Sequence, residues 1–242
     1  MSYIFREHIK QSLAVIAFLI TLTACTSESY DAGDGPNSYL TADLVLLHTS
    51  QDKSVRSALL DDGTTLQFSN PFAQDWLTRP DSVYRALLYY DKTVAASDAA
   101  APNPTATSIV RARSVRPVSV LRPVEAEDME TLRTDPVGFE SIWLSKNKSY
   151  INLSLLLKSG KTEADDALHA LGIVSHGTTT DADRRRTLHL TLYHDQGGVP
   201  AYYTVQQYVS IPTQLLEEAD TVELTLNTYN GKKVMKVAVS NL

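Results

Sequence analysis

Val222-Glu223-Leu224-Thr225-Leu226-Asn227-Thr228-Tyr229-Asn230-Gly231-Lys232-Lys233-Val234-Met235-Lys236-Val237-Ala238-Val239 decides the fold class. Val222 to Tyr229 and Lys233 to Val239 both read with a period of two, the spacing of a strand with one face buried. In the second run Val234, Lys236 and Ala238 share one face, and Met235, Val237 and Val239 share the other. Asn230-Gly231 between them is the strongest hairpin signal in the chain, because both residue types tolerate positive φ. An antiparallel β-hairpin is therefore expected at this end.

The same pattern extends backward. Phe139 to Leu144, Tyr150 to Leu157, Thr187 to His194 and Tyr202 to Ile211 read as strands, the first two joined across Lys146-Asn147-Lys148. Glu163 to Leu171 fits a two-turn helix, with Ala164, Ala167, Leu168 and Leu171 on one face. Pro212 to Ala219 looks like a helical crossover that starts at a proline. Six or so antiparallel strands suggest a sandwich over 137–242.

Upstream, residues 124–136 read as a linker. Pro117 and Pro123 just before it, Pro136 at its end and the acidic run Glu125-Ala126-Glu127-Asp128-Met129-Glu130 mark it, and a short helix is compatible with that run. Before it, residues 41–123 hold five β-rich stretches, a count that suits a small closed barrel. They begin near Thr41, Ser54, Thr64, Val83 and Ser108. Asp61-Asp62-Gly63 is a turn signal between the second and third. The segment Ala99-Ala100-Ala101-Pro102-Asn103-Pro104 is a loop.

The N-terminus carries an address. Arg6 and Lys10 precede an apolar run from Ser12 to Thr23. That run is shorter than the roughly 20 residues a membrane-spanning helix needs and has the proportions of a signal peptide. It ends in Leu22-Thr23-Ala24-Cys25, which resembles the bacterial lipobox. The resemblance implies cleavage after residue 24 and lipid on the Cys25 thiol, the only thiol in the chain. Residues 25–40 are polar, rich in Gly, Ser and Asp, and read as a tether. The expected location is the cell envelope, with the face of the membrane left open.

Charge and cysteine count exclude several functions. The chain has 22 basic and 28 acidic residues; removing residues 1–24 takes away Arg6, Lys10 and Glu7 and leaves 20 basic and 27 acidic, a net of -7. Such a balance disfavours nucleic acid, which needs clustered positive charge. One cysteine cannot form an internal disulfide or a cysteine-rich metal site.

The order of short motifs resembles the NigD-like lipoproteins of anaerobic gut-type Gram-negative bacteria. A lipobox is followed by Asp61-Asp62-Gly63, then Asp81-Ser82-Val83-Tyr84-Arg85-Ala86-Leu87 and Tyr89-Tyr90. After these come Asp135-Pro136-Val137, Ser141-Ile142-Trp143-Leu144, Tyr150-Ile151-Asn152-Leu153, Leu190-Thr191-Leu192-Tyr193-His194 and Tyr208-Val209-Ser210-Ile211-Pro212. The resemblance implies an all-β protein: an N-terminal OB-like barrel followed by a C-terminal antiparallel β-sandwich. It carries over no catalytic residue. The family takes its name from a member associated with a bacteriocin locus, which hints at an immunity or accessory role.

Searching the chain for chemistry yields little. Lys158-Ser159-Gly160-Lys161-Thr162 ends like a phosphate loop, but Leu155 stands where the motif needs its first glycine. His189 and His194 are five apart on one strand and so face opposite sides. His169 and His176 lie elsewhere, so no metal site and no cofactor is expected. Paired carboxylates such as Asp61-Asp62, Asp165-Asp166 and Glu217-Glu218 read as solvated turns or helix surfaces, and no nucleophile elbow is present. The run Asp183-Arg184-Arg185-Arg186 reads as a solvated loop edge.

The candidate ligand-binding residues are Arg111 and Arg113, on one barrel face with Arg116 nearby, and Tyr202 and Tyr208, on one face of a later strand. OB folds bind oligosaccharides on such faces, and tyrosines stack on sugars; strands also favour tyrosine for packing alone. Asp81-Ser82-Val83 and Asp220-Thr221-Val222 resemble the O-glycosylation acceptor used on exported proteins of the same bacteria, making Ser82 and Thr221 candidates. The expectation is a monomeric, membrane-anchored, non-enzymatic module that binds an envelope protein or glycan. The alternatives are a bacteriocin immunity or protective lipoprotein and a hydrolase with a spatially assembled site.

Overall fold

A computed structural model describes residues 40–92, 108–161, 168–216 and 218–239. Cys25, the tether and the signal segment lie outside them. The described residues belong to one compact unit.

The first half closes into a five-stranded barrel. Its strands are β1 (Leu40–Thr49), β2 (Val55–Leu60), β3 (Thr65–Phe72), β4 (Val83–Lys92) and β5 (Ser108–Pro117), arranged β1-β2-β3-β5-β4. Pairing is antiparallel except between β3 and β5, which run parallel. Alternation fills the interior: Ala86, Leu88 and Tyr90 of β4 point in and meet Val45, Leu47 and Val110. Gly63 takes a φ of +89° in the β2–β3 turn, where a residue with a Cβ would be strained.

The second half is a sandwich. One sheet has the order β6 (Ser119–Val120), β12 (Tyr203–Pro212), β9 (Tyr150–Ser159), β8 (Gly138–Leu144). The other has the order β14 (Gly231–Ala238), β13 (Thr221–Thr228), β11 (Arg186–Asp195), β10 (Ala170–Thr180), β7 (Pro123–Glu125). Leu153, Leu155 and Leu157 of β9 meet Leu188 and Leu190 of β11 and Leu224 of β13 in the space between the sheets, all fully buried.

Several details differ from the expectations. The sandwich is mixed: β11–β13, β10–β7 and β12–β6 are parallel pairs. Residues 119–125, counted above with the barrel and the linker, run along the sandwich sheets. The acidic run contains one 3-10 turn, Ala126–Asp128. The expected helix over Glu163–Leu171 lies partly outside the described residues, and its end belongs to β10, where Leu171 packs inward. The expected crossover helix is a single 3-10 turn, Thr213–Leu215. Leu216 and Ala219 immediately enter the core, leaving no length for an α-helix. At the C-terminal hairpin the turn is Tyr229-Asn230, and Gly231 follows it as the first residue of β14 with a φ of +102°.

Candidate functional site

Where barrel and sandwich meet, the outward face of β4 is buried. Arg85, Leu87 and Tyr89 alternate with the barrel-core residues, so they project away from the barrel. The sandwich supplies the facing side chains: Trp143 from β8, Asn152 and Ser154 from β9, and Tyr208 and Ser210 from β12. Leu44, Leu87 and Val118 form a small apolar cluster there, packed by Tyr89, Trp143 and Tyr208.

Arg85 is the centre of this junction and is 5% exposed. Its two terminal nitrogens donate to the two oxygens of Asp61 at 2.6 and 2.7 Å, a bidentate fork. Its Nε donates to Ser210 Oγ at 3.1 Å, and Nη2 also donates to Asn152 Oδ1 at 3.0 Å. Asn152 Nδ2 donates to Asp61 Oδ2 at 3.0 Å, and Ser210 Oγ donates to Asn152 Oδ1 at 2.7 Å. The guanidinium lies over the Tyr150 ring, 4.3 Å from its centroid. The backbone N–H of Asn147, in the β8–β9 turn, donates to the carbonyl of Asp61 at 2.7 Å. Two barrel residues and three sandwich residues thus make one closed polar network, which matters because a half-satisfied buried network is costly.

Beside this clamp the surface opens into two clefts that share Leu87, Tyr89 and Tyr208. The first, about 350 Å³, is walled by Tyr89, Trp143 and Tyr208 and carries Asp43, Asp62 and Lys146. Trp143 and Tyr208 meet edge to face, with centroids 6.3 Å apart. The Thr64 backbone N–H donates to Asp62 at 2.9 Å and holds that carboxyl below its ordinary range. Asp43 accepts from the Tyr90 hydroxyl at 2.8 Å; burial, aided by this neighbouring charge, pushes the phenol up. The second cleft, about 440 Å³, runs between Arg116 and Pro117 on one side and Val205, Gln206 and Gln207 on the other. Ser154 Oγ donates to Glu140 at 2.6 Å, and Gln206 Nε2 donates to the same oxygen. These two bonds hold the Glu140 carboxyl below its usual range.

The sequence candidates separate in space. Tyr208 lines both clefts. Tyr202 is 78% exposed at the far end of the strand, beside Gly160 and Pro200. Arg111 and Arg113 are exposed on β5, and Arg113 pairs with Asp91, its Nε donating at 2.5 Å. Arg116, named only as their neighbour, is the one of the three arginines that lines a cleft. Ser82 is half-buried and donates to the Pro80 carbonyl at 2.8 Å. Thr221 is half-buried at the start of β13. The sequence did not show the clamp: Asp61 read as a solvated turn, and Asn152 and Ser210 stood only within the motifs of the family resemblance.

The histidines behave differently from expectation at one point. His169 reaches the strand pair after all: its Nδ1 lies 2.9 Å from His194 Nε2. His194 is buried, and its Nδ1 donates to the Asp135 carbonyl at 2.9 Å, so its Nε2 accepts from His169. Burial, then the neighbouring His194, holds His169 below the ordinary imidazole range. Among the described residues no group of three or more His, Cys, Asp or Glu could hold a metal. Thr179, His189 and Glu223 stand in hydroxyl–imidazole–carboxylate order at 2.8 and 3.2 Å. They lie on an outer sheet face, where His176–Thr191 repeats the same cross-strand pairing at 2.9 Å.

Residues 120–239 match the family of the NigD-like C-terminal beta sandwich domain. The chain belongs to the NigD-like family. Two solved structures share the fold of this NigD-like chain at low identity. A NigD-like immunity protein from Bacteroides caccae is 23% identical with a TM-score of 0.57, covering 81% of this chain and 91% of that one. A candidate lipoprotein from Bacteroides fragilis is 13% identical with a TM-score of 0.59, covering 84% of this chain and 98% of that one. No curated protein matches the chain. The motifs that carried the NigD-like resemblance in the sequence supply Asp61, Arg85, Tyr89, Trp143, Asn152, Tyr208 and Ser210, which all meet at the junction.

Proposed function

We propose that this chain is a lipid-anchored, non-enzymatic recognition module of the cell envelope. The junction clefts are its contact surface. The observation that carries this reading is the pair of open, aromatic-walled clefts held in place by a fully bonded buried clamp. Preorganised aromatic faces with a few polar groups are what binding sites use. Tyr89, Trp143 and Tyr208 offer flat apolar faces, while Asp62, Lys146 and Arg116 supply charges to orient a ligand. The lipobox resemblance at Cys25 supports the anchor. Titrating residues 26–242 against a glycan array and an envelope extract tests the reading. Specific binding that Tyr208→Ser weakens at least tenfold is expected; equal binding by the variant refutes the site.

A second reading is immunity, in which the bound ligand is a toxin arriving at the envelope. It is favoured by the fold shared with a protein named as a NigD-like immunity protein. Expression in a sensitive strain should then raise survival against bacteriocins secreted by competing strains. Unchanged killing rejects it.

A further inference from the structure

We infer that the free edge of β12, from Tyr203 to Tyr208, is a docking site for an extended polypeptide strand of a partner protein. The added strand would continue the line of β6 along the four-stranded sheet. The inference rests on the recognition reading above and names the partner's chemistry.

The hydrogen-bond pattern defines the site. On one side β12 pairs with β9 along its whole length, from Tyr203↔Ser159 to Pro212↔Tyr150. On the other side only Val209 and Ser210 are paired, to the two residues of β6. Leu121 N–H donates to the Ser210 carbonyl at 2.9 Å, so Ser210 presents its backbone groups to that side. Alternation then points the N–H and C=O of Thr204, Gln206 and Tyr208 the same way. Among the described residues only the two-residue β6 pairs with β12 on that side. Thr204 and Gln206 therefore each offer a donor and an acceptor and Tyr208 a donor, its carbonyl facing Ser119 N–H in the β6 pairing; Gln206 and Tyr208 stand in one wall of the second cleft.

Other strand edges in the sandwich are guarded and this one is not. β14 carries Lys232, Lys233 and Lys236 on its edge. β8 has a register break between Phe139 and Ser141, with Glu140 at the break. β7 is three residues long and begins with a proline. Charge, bulges, proline and shortness are the devices that stop strands from pairing with other chains. From Tyr203 to Pro212 there is no charged residue, and the register with β9 has no break. Tyr203 and Val205 are 50% and 36% exposed, although their alternation places them with core residues Val209 and Ile211. A strand bearing apolar side chains at alternate positions would cover them. Arg116, across the cleft, favours a carboxylate on that strand. Backbone bonds would supply affinity and the flanking side chains specificity, as in other strand-addition complexes.

The test uses the full chain and a displayed library of random twelve-residue peptides as the probe. Amide exchange is followed by NMR, with and without a selected peptide. In the free chain, Thr204, Gln206 and Tyr208 should exchange quickly while Val205 and Gln207 are protected by β9. Selected peptides should slow exchange at those three amides at least tenfold, and N-methylating alternate peptide nitrogens should abolish binding. Gln206→Pro removes an N–H that β9 does not use, together with the side-chain bonds from Gln206 to Glu140 and Ser154, and leaves the β9 ladder whole, so it should fold and lose binding. Val205→Lys, which guards the edge with charge, should do the same if the proline variant fails to fold. Slow exchange at the three amides in the free chain, or only at high protein concentration, would mean that the chain's own residues or a second copy occupy the edge, and overturns the proposal. A failed selection overturns it as well. Peptides that Tyr208→Ser releases without protecting those amides would overturn strand addition while leaving the recognition reading intact.

Discussion

Replacing Arg85 by alanine should destabilise residues 40–242 by about 3–5 kcal/mol, the range for removing one partner of a buried ion pair. The magnitude follows from what is left behind. Asp61 keeps only Asn152 Nδ2 and the remaining solvent access of a side chain that is 19% exposed, while Ser210 and Asn152 lose a charged donor. The contact with Tyr150, about 0.5–2 kcal/mol in comparable geometries, is lost too. The partial exposure of Asp61 holds the sum toward the lower end. The pair is isolated by a double-mutant cycle in urea, with Arg85→Ala, Asp61→Ala and both together. A coupling of at least about 2 kcal/mol is expected, because the double variant buries no unpaired charge. The single variant should also split one unfolding transition into two, as barrel and sandwich lose their common network. Coupling below about 0.5 kcal/mol with a single sharp transition would refute the clamp, since such values are typical of exposed pairs.

Other consequences are simpler to check. Cys25→Ser should move the protein from the membrane pellet to the soluble fraction, because lipid attachment is the proposed anchor. Leu155→Ala should cost about 2–5 kcal/mol by thermal or urea unfolding, since the residue is fully buried between the sheets. His169 is held below the ordinary imidazole value of 6.5 in the folded chain, so the unfolded chain binds more protons as pH falls through that value. Stability should therefore drop below pH 6.5, and His169→Gln should flatten that part of the pH–stability curve. An unaltered slope in the variant would remove His169 as its origin.

The period-two pattern made the strands legible, and turn residues such as Asp61-Asp62-Gly63 placed many of their ends. β10 was hidden because a register break between Ser175 and Thr178 spoils its alternation, and His176-Gly177 looks like loop sequence. The junction was hidden for a different reason. In a strand, polar alternation usually means water on one side. Asn152 and Ser210 alternate with core residues in that way, yet both are fully buried against the barrel. A single sequence does not distinguish a face that meets solvent from one that meets another domain. Arg85 gave the same ambiguous signal between Tyr84 and Ala86. The order of motifs carried the family resemblance because those motifs hold the two halves together.

The route of the chain from β5 into β6 and β7 separates what can fold early from what must wait. All five barrel strands lie within residues 40–117, so a chain emerging N-terminus first holds every strand the barrel needs before the sandwich sequence appears. β6 and β7 follow at once but have no sheet to join, since their partners are Val209 and Ser210 on β12 and Ile173 to Ser175 on β10. Arg85 likewise waits for Asn152 and Ser210. These sequence-distant parallel pairings make docking the slow event of vectorial folding, with Leu121, buried in the finished sandwich core, uncovered until it occurs.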